Sequence, residues 1–97
     1  MTFDEFQEAL TANQPSDELT AALAALWWDK KGDWVRAHQS VQQGKDAGES
    51  WVHAYLHRKE GDRTNAAYWY ARAEKCFCEE SLDTEWLSIA KDLLQRS

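Results

Sequence analysis

The stretches Lys30–Val41 (KKGDWVRAHQSV) and Lys59–Tyr70 (KEGDRTNAAYWY) share one pattern: a basic residue, one further residue, Gly-Asp, and then a helix-like run. Gly32 and Gly61 can adopt the left-handed conformation that ends a helix. The aspartate directly after each glycine can cap the helix that follows. Because so short a turn folds the second helix back along the first, each stretch predicts an antiparallel helical hairpin.

The two stretches form an internal repeat with an offset of 29 residues, the distance from Gly32 to Gly61. Helix start and stop signals occur along the rest of the chain as well. The second helix is predicted to end at Lys31, and the third to run from about Trp34 to Gln43. The predicted N-caps are Thr2, Ser16, Asp33, Ser50, Asp62 and Asp83. We therefore predict an all-α fold of about six helices in a single domain, residues 1–97: two stacked antiparallel hairpins flanked by an N-terminal and a C-terminal helix.

The composition narrows the range of partners and locations. The chain has 97 residues, six of them Trp, and a formal net charge of −6. An acidic domain repels phosphate backbones, so we expect no nucleic-acid binding. The apolar run LTAALAALWW is half of the roughly 20 residues that a membrane span needs, and the acidic start lacks the pattern of a signal peptide. We therefore expect a cytoplasmic protein that does not bind membranes. Cys76 and Cys78 are two residues apart, so on a helix their side chains diverge and we expect reduced thiols.

Residues 60–75 (EGDRTNAAYWYARAEK) resemble the second half of a tetratricopeptide repeat, with features of the related Sel1 repeat. The match consists of Gly-Asp at the turn, followed by small Ala66, aromatic Tyr70 and small Ala73 at steps of four and three. The copy around Gly32 matches less closely, and the period is 29 residues instead of about 34. The resemblance covers about half of the chain. It implies stacked helical hairpins and the binding of another protein, without catalysis.

The three histidines of the chain are possible metal ligands. His53 and His57 are four residues apart on a predicted helix, a spacing that can place two imidazoles on one metal ion. They lie opposite the apolar residues of that helix, so we expect both side chains to face solvent. No third ligand is evident at a matching local spacing, and we predict no metal site and no cofactor. His38, beside Trp34 and Val41 on an apolar stripe, is expected to be a partly buried core histidine.

Positive charge concentrates around the two Gly-Asp turns. Residues 29–36 and 57–63 hold six of the eleven Lys and Arg residues against four acids. In stacked hairpins both turns emerge at one end, which predicts a basic end on an acidic body. Cations in the last turn of a helix are also explained by the helix dipole alone. On the functional interpretation, this end meets an acidic peptide or a C-terminal carboxylate. The predicted partner-binding residues are Trp28, Lys30, Lys31, His57, Arg58, Lys59 and Arg63.

These features favour a small non-enzymatic protein-interaction module, either an adaptor or a homodimer. The chain has neither a Gly-rich phosphate loop nor a G-x-S-x-G motif, so we predict no catalytic residues and no enzymatic activity. The alternative is a small-molecule or metal binder with a pocket between helices, which would use His38, Trp34 or the His53/His57 pair.

Overall fold

Residues 1–96, which this computed structural model describes, form six α-helices and no strand. The helices are α1 (Phe3–Ala9), α2 (Ala21–Lys30), α3 (Trp34–Val41), α4 (Ala47–Lys59), α5 (Arg63–Arg72) and α6 (Leu82–Arg96). The pairs α2–α3 and α4–α5 are hairpins, and α1 and α6 flank them in the chain. The predicted all-α fold is therefore confirmed, although α3 ends two residues earlier than predicted. Among these helices none is both long and apolar enough to cross a lipid bilayer.

Both Gly-Asp turns have the backbone geometry that their sequence predicts. The φ angles of Gly32 and Gly61 are +87° and +90°, in the left-handed region. At the first turn the Asp33 amide donates to the Trp28 carbonyl and the Gly32 amide to the Asp29 carbonyl, both at 3.0 Å. These two bonds make a Schellman motif, which satisfies the free carbonyls at the end of α2. The second turn repeats both bonds, so each glycine ends one helix and reverses the chain.

The fourth helix begins one turn earlier than predicted. Asp46 is the N-cap, and its carboxylate accepts the Glu49 amide at 2.7 Å. Ser50, the predicted cap, lies inside the helix and is fully buried. Gly48 in the first turn has no side chain, and a Cβ there would lie 2.8 Å from a methyl carbon of Leu93. The longer α4 can therefore approach α6 closely at its start.

The starts of α2 and α6 also differ from the prediction. The Ser16 hydroxyl accepts the Glu18 amide within the preceding turn, at 3.1 Å. Thr20 is the N-cap of α2 instead. Ser81 caps α6 instead of the predicted Asp83, because the Ser81 hydroxyl accepts the Thr84 amide at 3.1 Å. In both cases a hydroxyl close to the first apolar turn competes successfully for the free amides, which shifts the boundary but keeps the helix.

Helix α4 lies at the centre of the domain, in contact with α2, α3, α5 and α6, while α1 rests on α6. Large side chains fill the core between them; those that are fully buried include Phe6, Leu26, Trp27, Leu56, Trp86 and Ile89. The buried indoles keep their N–H groups paired: Trp27 donates to the Ala9 carbonyl at 2.9 Å, and Trp86 to the Leu26 carbonyl at 3.1 Å. A helix with neighbours on so many sides has little surface left for solvent, and this placement decides the environment of its histidines.

Candidate functional site

His53 and His57 lie inside the domain. Their exposed fractions are 4% and 8%, so the expectation that they face solvent is wrong. The physical reason is the central position of α4. Its apolar residues contact α2 and α6, and the face that carries the histidines is covered by rings from α3 and α5. A helix that is covered on both faces buries its polar stripe together with its apolar one.

The third histidine comes from the other hairpin. His38 of α3 places its Nε2 atom 3.0 Å from Nε2 of His53. Its ring centroid lies 4.7 Å from that of His53 and 5.2 Å from that of His57, and the two α4 rings are 4.9 Å apart. One ring nitrogen from each of the three lies within 4.8 Å of the others. The structure therefore brings to the two histidines of α4 a third imidazole that local spacing does not reveal. We call His38, His53 and His57 the histidine cluster.

Two tryptophans hold the histidine cluster from either side. The Trp34 ring is stacked on His38, with centroids 4.9 Å apart and an interplanar angle of 8°. The Trp69 ring is stacked on His53 at 3.9 Å and 15°. The indole N–H of Trp34 donates to the Leu56 carbonyl at 2.9 Å, which fixes that ring against α4. Flat contacts of this kind restrict rotation of the imidazoles, so their directions are set by the fold.

The surroundings of His38 and His53 disfavour the protonated form of both imidazoles. Burial, followed by the repulsion of His38 and His57, lowers the pKa of His53 to about 4. Burial also lowers the pKa of His38, with a further contribution from His57, while the Glu60 carboxylate acts in the opposite direction. A neutral imidazole keeps one nitrogen lone pair. The same environment that disfavours protonation thus leaves His38 and His53 able to act as ligands or hydrogen-bond acceptors.

Hydrogen bonding within the histidine cluster is uneven. Nδ1 of His57 lies 2.6 Å from Oε1 of Glu60, just beyond the end of α4. By contrast, Nδ1 of His53 is buried and has no hydrogen-bond partner among residues 1–96. Leaving such a group unpaired costs about 1–3 kcal/mol. An apolar side chain of similar size at position 53 would avoid this cost, so packing alone does not explain a histidine there.

The predicted basic end is assembled by a contact between α2 and α4. The Lys59 ammonium lies 2.7 Å from a carboxylate oxygen of buried Asp29, so the last turns of the two helices stand side by side. Lys30 and Lys31 are exposed at the end of α2. The Lys30 ammonium lies 4.6 Å from the centre of the Trp86 ring. The Lys31 ammonium donates to the Leu10 carbonyl at 2.7 Å. These three lysines belong to one end of the domain.

The other predicted partner-binding residues divide between the surface and the interior. Arg63 is exposed and forms an ion pair with Glu79 at 3.2 Å. Trp28 is half-buried, with the guanidinium of Arg36 over its ring. Arg58 turns inward and contacts buried Glu85 at 3.0 Å. His57 is buried in the histidine cluster, so neither it nor Arg58 adds to the exposed charge of this end.

One signal in the sequence does point to the cluster. His38 lies on the apolar stripe of α3, the stripe that packs onto the next hairpin, and two further histidines lie one turn apart on the helix that it meets. Pairing the two observations requires knowing that α3 contacts the histidine face of α4, which is a tertiary relationship.

No protein-family model matches this chain, and no match is found among curated proteins or solved structures.

Proposed function

We propose that this chain is a small, non-enzymatic interaction module that binds an acidic polypeptide segment at the end where its two Gly-Asp turns meet. The observation that carries the proposal is the contact between Lys59 and Asp29 at 2.7 Å. It draws the end of α2 and the end of α4 together, so cations from both turns share one surface.

Most acids at this end have roles within the fold. The Asp33 and Asp62 carboxylates cap α3 and α5. Asp29 is buried, and Glu60 is bound to His57. Among residues 29–36 and 57–63 the exposed cations, Lys30, Lys31, Arg36, Lys59 and Arg63, outnumber the one exposed acid, Glu60. Lys59 and Arg63 also form ion pairs.

The rest of the protein favours the same docking site. Residues outside 29–36 and 57–63 carry five Lys and Arg against thirteen Asp and Glu. An acidic partner is repelled by that surface and attracted to the basic end, so the charge distribution selects both the class of partner and the place where it binds. Within this end, direct contact is assigned to Trp28, Lys30, Lys31, Lys59 and Arg63. A cytoplasmic location and membership of a tetratricopeptide-like family remain predictions.

The test is fluorescence anisotropy with a labelled Asp/Glu-rich peptide, compared with a peptide of equal length that has Gln and Asn in place of the acids. The double variant Lys30→Gln/Lys31→Gln should weaken binding about tenfold, since each exposed charge contributes roughly 0.2–1 kcal/mol. The matched control, Lys45→Gln/Lys91→Gln, makes the same change of net charge away from the turns and should have little effect.

Two results would refute the proposal. One is equal binding of the acidic and neutral peptides; the other is equal weakening by the two double variants. Sedimentation of the chain alone addresses the homodimer. A dimer that the Lys30→Gln/Lys31→Gln variant disrupts would show that the basic end binds a second copy of the chain in place of an acidic peptide.

A further inference from the structure

We infer that His38, His53 and His57 form a binding site for one divalent transition-metal ion of the zinc class. The three side chains come from two different hairpins and direct ring nitrogens to within 4.8 Å of one another. The site is separate in its chemistry from the basic end, because it consists of imidazoles and binds a cation.

The nitrogen separations are close to those that a metal requires. Zinc–nitrogen bonds of about 2.0–2.1 Å place the ligands of a tetrahedral site about 3.4 Å apart. The Nε2 atoms of His38 and His53 are already 3.0 Å apart. No pair of ligand atoms in the cluster is more than 4.8 Å apart, so any pair needs to close by at most about 1.5 Å to meet that geometry.

Glu60 supplies the outer contact that metal-bound histidines usually have. Its carboxylate lies 2.6 Å from Nδ1 of His57. When the second ring nitrogen of a histidine donates to a carboxylate, the ring is oriented and Nε2 is left as the ligand atom. Asp62 stands near the same pair, with ligand atoms of His57, Glu60 and Asp62 within 4.8 Å. These two carboxylates offset part of the charge of a bound cation.

The tryptophan rings set the directions of the other two ligands. Trp34 is stacked on His38, and Trp69 is stacked on His53. Both imidazoles are therefore held before an ion arrives, which reduces the conformational entropy that binding costs. Such positioning by packed neighbours is what a defined coordination geometry requires.

The donor set selects the kind of ion. Neutral imidazole nitrogens suit Zn²⁺, Co²⁺, Ni²⁺ and Cu²⁺, while Mg²⁺ and Ca²⁺ prefer oxygen ligands. Three protein ligands also leave a fourth position for water or another small ligand. We therefore expect Zn²⁺ and Co²⁺ to bind and Mg²⁺ to fail at the same concentration.

The rival explanation is a purely structural cluster in which the imidazoles only pack against tryptophan. The decisive experiment uses the full chain without a histidine tag, stripped with EDTA and dialysed. Calorimetric titration with Zn²⁺ should give one ion per chain. Titration with Co²⁺ should give the visible absorption bands of a tetrahedral nitrogen site. Long-range ¹H–¹⁵N spectra of the wild-type chain should show shifts of all three imidazoles, a readout that needs no variant.

Two variants and their controls locate the site. His38→Gln removes the ligand that is least buried, and it should abolish the Co²⁺ bands while circular dichroism shows the helices intact. Gln39→Ala, on the exposed neighbouring position of α3, should leave binding unchanged. Glu60→Gln should weaken Zn²⁺ binding about 10–100-fold, and Glu80→Gln, an exposed acid elsewhere, should not. A flat Zn²⁺ titration with unshifted imidazole signals would overturn the inference, as would unchanged binding in His38→Gln.

Discussion

Lys59 of α4 places its ammonium nitrogen 2.7 Å from one carboxylate oxygen of Asp29 in α2, while the hydroxyl of Tyr55 donates to the other oxygen at 2.8 Å. The aspartate is almost fully buried, and Tyr55 is buried with it. Burial, and then the nearby charge of Asp29, raises the pKa of Tyr55 well above its usual range. The Asp29 carboxylate of the first hairpin is thus bound by Lys59 and Tyr55 of the second, and these contacts join the two hairpins at one end.

This arrangement predicts different effects for two substitutions of Asp29. Asp29→Ala leaves the buried hydroxyl of Tyr55 without an acceptor, so we expect the free energy of unfolding to fall by about 1–3 kcal/mol. Asp29→Asn keeps an acceptor oxygen and loses mainly the ion pair with partly exposed Lys59, which is worth about 1 kcal/mol or less. Urea denaturation measures both, with exposed Asp17→Ala as the control. Equal losses in the two variants would contradict this account.

Substitution of the most buried carboxylate is expected to lower the free energy of unfolding by more. Glu85, with an exposed fraction of 2%, accepts the hydroxyl of Tyr70 at 2.6 and 2.8 Å, Nε of Arg58 at 3.0 Å and the indole N–H of Trp51 at 3.2 Å. Glu85→Ala leaves the largely buried guanidinium unpaired. Removing one partner of such a pair costs about 3–5 kcal/mol. Chemical denaturation checks this, with exposed Glu80→Ala expected to change stability by about 0.5 kcal/mol or less.

Why Glu85 is buried could not be read from the sequence. Its position in the first turn of a helix is explained locally by the helix dipole, which favours acids there. The burial arises only because α6 lies against α4, which brings Arg58 and Trp51 to the carboxylate. The same argument applies to Arg58, whose place in the last turn of α4 is favourable on local grounds alone.

The turn glycines were predictable because their role is local. Gly61 has a φ of +90°, and a Cβ at that position would meet no atom within 4 Å. Gly61→Ala should therefore destabilise through backbone conformation alone, by about 1–2 kcal/mol. Gly61→Asn should cost less, because asparagine tolerates the left-handed region. Thermal melting of the two variants provides the comparison, and an alanine variant as stable as the wild type would show that the turn does not require glycine.

Helix starts were harder to predict than helix ends, because neighbouring residues compete for the same free amides. Ser50 has the right chemistry for a cap, but Asp46 lies one turn earlier and is the cap that forms. Likewise, Thr20 caps α2 although Ser16 precedes it with acids after it. The earlier start of α4 also brings Gly48 close to Leu93, a contact that local capping signals do not reveal.

The histidine cluster was even harder to predict from local sequence than the helix starts. The spacing of His53 and His57 is local and was recognised, but their burial depends on α3 and α5. Helical-face reasoning assigns one apolar and one solvent face to each helix. That assumption fails for α4 because the helix has neighbours on both faces. His38 could be identified as partly buried from its own helix, whereas its two partners could not be assigned to it.

In the metal-free protein, the histidine cluster predicts that stability falls with acidification. Burial and its histidine neighbours lower the pKa of His53 from 6.5 to about 4, so the unfolded chain binds a proton more readily than the native one as pH falls. The stabilisation is therefore complete above pH 6.5 and is lost between pH 6.5 and about 4. His38, whose pKa is also lowered, acts in the same direction, and Glu60 opposes it.

Guanidinium denaturation in EDTA at pH 7.5 and 5 measures the loss. The variant His53→Phe keeps a ring against Trp69 but lacks the titrating imidazole, so its loss of stability should be smaller. The carboxylates that titrate in the lower part of this range are the same in both proteins, so the difference between the two losses is due to His53. An equally steep loss in that variant would place the acid sensitivity elsewhere.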